Sequence, residues 1–136
     1  MAHKDYSGTP LAKKLGIREG SRVLLVAPPE DLVLDLPPGT ELVSRVSTGL
    51  DVIVLFAARR AEIERRFSKL VASLDPAGRL WIAWPKKASK LPTDITFGVV
   101  QSTGLDAGLV DNKSASITDV FQALQFVYRL KDRPKG

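Results

Sequence analysis

The stretch from Asp51 to Ile82 constrains the fold more than any other. Asp51-Val-Ile-Val-Leu-Phe56 is an apolar run of the kind that a strand buried on both faces needs. From Ala58 to Leu74, the residues Ile63, Phe67, Leu70, Val71 and Leu74 recur at helical spacing, while Arg59, Arg60, Arg65 and Arg66 fall elsewhere on the helix. Leu74-Asp-Pro-Ala-Gly-Arg-Leu-Trp-Ile82 then reads as a Pro/Gly turn entering a second buried strand, continued through Trp84 and ended by Pro85. Strand, amphipathic crossover and strand make one parallel βαβ unit, so the chain is α/β.

The flanking segments extend this unit. Ser7-Gly8-Thr9-Pro10 signals a turn into a two-turn helix holding Leu11 and Leu15, with Thr9 as cap, Pro10 in the first position and Gly16 as the stop. Arg22 to Ala27 reads as a buried strand that Pro28-Pro29 terminates, and Leu32 to Leu36 as one or two helical turns. Glu41 to Val46 has the β-branched character of an edge or penultimate strand, with the first strand as its expected partner. A helix is expected between Thr93 and Gly104, capped by Thr93 or Asp94. Gly108 to Ile117 and Phe121 to Leu130 read as an antiparallel hairpin turning at Thr118-Asp119. Trp81 and Trp84, three residues apart on one strand, should face opposite sides of the sheet as core.

With 136 residues, 44% of them hydrophobic, the chain can bury one core without help from disulfides or metal. The expected division is an N-terminal arm and short helix over 1–20, one α/β domain over 21–130 and a flexible tail over 131–136. Cysteine is absent, which removes disulfides, thiolate zinc sites and cysteine nucleophiles together. The single histidine, His3, lies in a polar start and makes histidine-based catalysis an unfavoured reading. No apolar run approaches the roughly 20 residues of a membrane span, and no signal-peptide core is seen, so no membrane association and a cytoplasmic location are expected. A formal charge of +5 favours anionic encounters, but no RNA-binding aromatic signature or zinc-finger spacing accompanies it, so nucleic acid is not the expected partner.

The order of elements resembles the carboxyl half of the Rossmann-like methyltransferase fold. Tyr6-Ser-Gly-Thr-Pro-Leu-Ala-Lys-Lys-Leu-Gly-Ile17, Trp84-Pro-Lys-Lys-Ala-Ser89 and Thr93-Asp-Ile-Thr96 resemble the uncharacterised bacterial DUF3052 family. The resemblance implies a three-layer, methyltransferase-like mixed sheet, mostly parallel with an antiparallel final strand, in the order 2-1-3-4-6-5. It carries no catalytic residue to any position here. In methyltransferases the turn after the first strand is rich in glycine, because the backbone must approach the cofactor and leave amides free. Here that turn is Ala27-Pro28-Pro29-Glu30-Asp31. Two prolines offer no amide hydrogen and two carboxylates repel phosphate, so neither a nicotinamide dinucleotide nor S-adenosylmethionine is expected to bind there, and no cofactor is assigned.

Open parallel sheets bind ligands beyond the carboxyl ends of their strands. Those ends carry Arg59, Arg60, Lys86, Lys87 and Ser89, a candidate anion site aided by the amino end of the helix that starts near Arg60. Solvated charges flanking the strands would look the same in sequence. The Lys86/Ser89 pair lacks a third orienting group and is not read as a catalytic dyad. The leading functional reading is a non-enzymatic binding or regulatory module for an anionic small molecule or an acidic protein. Its alternatives are a divergent S-adenosylmethionine-dependent methyltransferase and a structural protein that pairs with its own copies through the edge strand near Leu42 or the final hairpin.

Overall fold

The computed structural model describes residues 10–133 and contains one six-stranded sheet in the order β2-β1-β3-β4-β6-β5. Along the chain the elements are α1 (Leu11–Lys14), β1 (Arg22–Val26), β2 (Glu41–Val43), β3 (Leu50–Phe56), α2 (Arg60–Ser73), β4 (Leu74–Pro85), α3 (Phe97–Asp106), β5 (Val110–Ser116) and β6 (Phe121–Val127). The first four strands are parallel, and β6 runs antiparallel to both β4 and β5. Order and strand directions are those read from the sequence.

Each face of the sheet has its own core. Leu24, Ile53, Leu55, Leu80, Ile82 and Trp84 point toward α2 and α3, where Ile63, Phe67, Leu70 and Val100 cover them. Val23, Val52, Val54, Phe56 and Trp81 point the other way, toward Ala12, Leu15 and Ile17. Successive residues of β3 thus feed opposite cores, the reason its sequence is apolar without alternation. Trp81 and Trp84 separate as expected: the Trp81 indole Nε1 donates to the Leu15 carbonyl at 3.1 Å, while Trp84 packs edge-on against Phe97.

The second face differs from expectation at Leu32 to Leu36, where no helical turn forms. Leu32, Leu34 and Leu36 pack against the core while Val33 and Asp35 face solvent, an alternation of period two that only an extended chain produces. At α1, Pro10 is the N-cap and not the first helical residue, and Thr9 lies outside the described residues. Gly16 ends that helix at φ +87, as read.

One further junction departs from the sequence reading. The Pro/Gly turn before the second strand of the βαβ unit is absorbed into β4: Leu74 pairs with Leu50 directly after α2, and Asp75 to Gly78 bulge before Arg79 pairs with Val52. A Cβ on Gly78 would stand 2.9 Å from the carbonyl oxygens of both Leu50 and Asp51, so only glycine lets the bulge lie this close to β3. Near the C-terminus Leu130–Asp132 form a 3₁₀ turn, and the rest of the segment read as a tail lies largely outside the described residues.

Candidate functional site

In this order the chain leaves β1 toward β2 on one side, then returns to β3 on the other. Loops leaving β1 and β3 therefore diverge at the carboxyl end, the position at which such sheets open a ligand crevice. The turn after β1 places Ala27-Pro28-Pro29 at that position, closed by one backbone hydrogen bond. Ala27 adopts a left-handed conformation at φ +56, Pro28 and Pro29 have no N–H, and the Pro29 carbonyl accepts from the Leu32 amide at 3.1 Å. No glycine lies between Ala27 and Leu36. A backbone cradle of free amides, the feature that holds a nucleotide-like cofactor on this fold, does not fit these residues.

Arg59 and Arg60 follow β3 and are exposed at the start of α2. The amino end of that helix, enlisted above as a donor to an anion, is occupied by the chain's own carboxylates. The Asp94 Oδ1 accepts from the Arg60 amide at 2.8 Å, and the Glu62 Oε1 accepts from the amides of Ala58 at 2.9 Å and Arg59 at 3.3 Å. Asp94 was expected to cap the helix that follows it. Thr96 does that instead, its Oγ1 accepting from the Val99 amide, while Asp94 reaches back 34 residues to α2. Glu62 is likewise committed to the helix end, and it makes no salt bridge with Arg65 among the described residues.

Lys86 and Lys87 follow β4, the neighbour of β3. The Lys86 ammonium donates to the Ser116 hydroxyl at 2.6 Å, which draws it toward β5, on the side of β4 away from β3. Lys87 is exposed in a 3₁₀ turn spanning Lys87–Ser89. The Ser89 hydroxyl donates to the Lys86 carbonyl at 2.7 Å and accepts from the Leu91 amide at 3.1 Å, so it is a turn-forming group and not a free nucleophile. The fold thus brings all five residues to one end of the sheet, with Arg59, Arg60 and Lys87 turned to solvent and Lys86 and Ser89 engaged locally.

A second basic feature was not singled out in the sequence. A groove of about 460 Å³ runs between α2 and the chain leaving β2, floored by β1. Its rim carries Arg45, Arg65, Arg66 and Lys69, all exposed, and no carboxylate lines it. The signal was present as Arg65-Arg66-x-x-Lys69 on the helix; what the sequence could not show was that Arg45 meets the same groove. On the other face, a more mixed depression holds Arg18, Glu19, Asp35 and Arg79. There burial, and then the neighbouring Arg18, pull the Arg79 guanidinium below the ordinary arginine range.

No protein-family model and no curated protein matches the chain in sequence. Solved structures do match in shape. A possible exported protein from Bordetella parapertussis superposes with a TM-score of 0.62 at 13% identity over 86% of this chain. A TehB-like S-adenosylmethionine-dependent methyltransferase from Corynebacterium glutamicum does so with a TM-score of 0.55 at 12% identity, covering 88% of this chain and 87% of that one. LepI in complex with S-adenosylmethionine gives 0.54 at 15% identity over 93% of this chain. The chain spans 64% of the Bordetella protein and 40% of LepI. Among the described residues, no helix is long and apolar enough to cross a membrane. At these identities the likeness establishes the fold alone: a Rossmann-like sheet of the S-adenosylmethionine-dependent methyltransferase type.

Proposed function

We propose that this chain is a non-catalytic binding or regulatory module, which takes an anionic ligand or an acidic partner on a methyltransferase-like scaffold that has lost its cofactor turn. The observation that carries the reading is Ala27-Pro28-Pro29. At the switch point of the sheet it presents two positions without an amide hydrogen and a closed turn, where a cofactor on this fold would need free donors. The exposed Arg59, Arg60 and Lys87, with Lys86 beside them, supply the attraction for an anion at the same end. The likeness to LepI and to the TehB-like protein supports the alternative, a divergent methyltransferase, only through the fold they share.

Titration calorimetry separates the two. S-adenosylmethionine should give no binding heat at micromolar protein, whereas a short oligoglutamate peptide should bind with an affinity that falls as salt rises. The quadruple change of Arg59, Arg60, Lys86 and Lys87 to alanine should flatten that salt dependence, because each lost charge removes screened attraction. Micromolar binding of S-adenosylmethionine that disappears on Pro29→Asp would establish the methyltransferase alternative instead.

A further inference from the structure

The groove beside α2 is a different place from the carboxyl-end cations, and its construction is more specific. β1 forms its floor. One wall is α2, which presents Arg65, Arg66 and Lys69, and the other is the short connection from Ser44 to Gly49 that carries the chain from β2 back to β3. Leu24, Val26 and Leu70 give it an aliphatic base. Arg22 anchors the far end of that connection, its guanidinium donating to the Thr48 carbonyl at 2.7 Å and the Ser47 hydroxyl at 3.0 Å. The wall holding Arg45 is therefore tethered across β1.

Four cations face one groove without a carboxylate among them. None of the four is in a salt bridge among the described residues. Like charges around one groove repel, and a dianion relieves that repulsion more than a monoanion does. Guanidinium forks match phosphate oxygens in pairs, which a lysine-only rim would not do. The base is aliphatic and the lining contains no aromatic ring, so nothing there would stack a nucleobase. The volume of about 460 Å³ is that of a small-molecule cleft, with room for about fifteen water-sized groups. It is too small for several turns of a partner helix about 10 Å across.

We propose that this groove binds a small aliphatic phosphate monoester, the phosphate on the Arg45, Arg65, Arg66 and Lys69 rim and the hydrocarbon chain on Leu24, Val26 and Leu70. The site gives the anion-binding reading a ligand class at a location independent of Lys86 and Lys87.

Titration calorimetry on the whole chain tests this with octyl phosphate, kept below its micelle-forming concentration, against inorganic phosphate and adenosine monophosphate. Octyl phosphate should bind at least tenfold more tightly than either. The double variant R45Q/R66Q should weaken it at least tenfold with an unchanged circular-dichroism melt, while K86A/K87A should alter it less than twofold. Equal affinity for the three probes, or an R45Q/R66Q variant that binds like the parent, overturns the groove assignment. Loss of binding in K86A/K87A alone also overturns it but leaves the carboxyl-end module standing, and failure of every anion, oligoglutamate included, ends both. Co-sedimentation with phosphatidylcholine vesicles containing phosphatidic acid, abolished by R45Q/R66Q, supports the groove and assigns its ester to a lipid headgroup. Calorimetric binding of octyl phosphate without co-sedimentation supports it with a free ester.

Discussion

Replacing Gly104 by alanine sets helix propensity against packing, and the structure decides which wins. Gly104 lies inside α3, where alanine would stabilise an isolated helix by about 1 kcal/mol. A methyl group there would fall on three ring atoms of Phe126, Cε1, Cδ1 and Cζ, well inside contact distance. Phe126 cannot retreat freely: it is fully buried on β6, in register with Leu80 of β4 and Asp111 of β5. Overpacking a filled core costs about 1–3 kcal/mol, and an overlap with three ring atoms belongs at the upper end of that range. The net expectation is a loss of about 2 kcal/mol. With an unfolding entropy near 2.1 cal/mol/K per residue over 136 residues, that lowers the melting temperature by about 7 °C. Differential scanning calorimetry measures it directly. A companion change, Phe126→Leu, vacates the contested space, so the double variant should be more stable than the sum of the two single losses by over about 1 kcal/mol. A Gly104→Ala protein that melts at or above the parent would refute the reasoning, since propensity would then have outweighed a contact that does not constrain the ring.

Two other perturbations test how the carboxyl end and the second core are held. Asp94→Ala removes the acceptor that caps α2 from the following loop and should cost about 1 kcal/mol, whereas Asp94→Asn, which keeps an acceptor oxygen, should stay within a few tenths; urea unfolding resolves the difference. Trp81→Phe strips the partner from the Leu15 carbonyl and leaves a void, for a loss of about 2–4 kcal/mol read by the fluorescence of Trp84; Trp84→Phe, which breaks no indole hydrogen bond among the described residues, should cost less.

The element types were legible in the sequence because they rest on long-period signals, whereas the strand order came with the resemblance to the methyltransferase fold. The unbroken apolar run of β3, the stripe of Ile63, Phe67 and Leu70, and the prolines after β1 and β4 each admit few alternatives. The misreadings are short-range. Leu32-Val-Leu-Asp-Leu36 contains enough leucine to pass for a helical turn, but its leucines alternate strictly with Val33 and Asp35, and the chain runs extended with the leucines on the core. The Asp75 to Gly78 segment carries every turn residue yet continues β4, since pairing with β3 resumes on both sides of it. Asp94 was recognised as a cap, but capping has no fixed sequence range; only the fold places residue 94 beneath the first turn of a helix that begins at residue 60. For the same reason the four cations of the groove could not be gathered from the sequence: Arg45 and Arg66 are neighbours only because a six-stranded sheet folds β2 and α2 onto β1.

The two connections around β1 account for both the closed turn and the open groove. A parallel pair needs a crossover, usually a helix, to carry the chain from the end of one strand to the start of the next. Between β1 and β2 the crossover is the extended segment after Pro29, which spends its leucines on the α1 face of the sheet. Between β2 and β3 it is the short Ser44 to Gly49 link, which cannot form a helix long enough to cover the other face. The α2 side of β1 is therefore left with Leu24 and Val26 flanked by α2 alone, and the link that passes beside them brings Arg45 opposite Arg65 and Arg66. The short connections around β1 thus have two linked results: prolines stand directly after the strand, and the α2 side of the sheet keeps an open cationic groove. The R45Q/R66Q and Pro29→Asp variants weigh the groove and the proline turn against each other in a single protein.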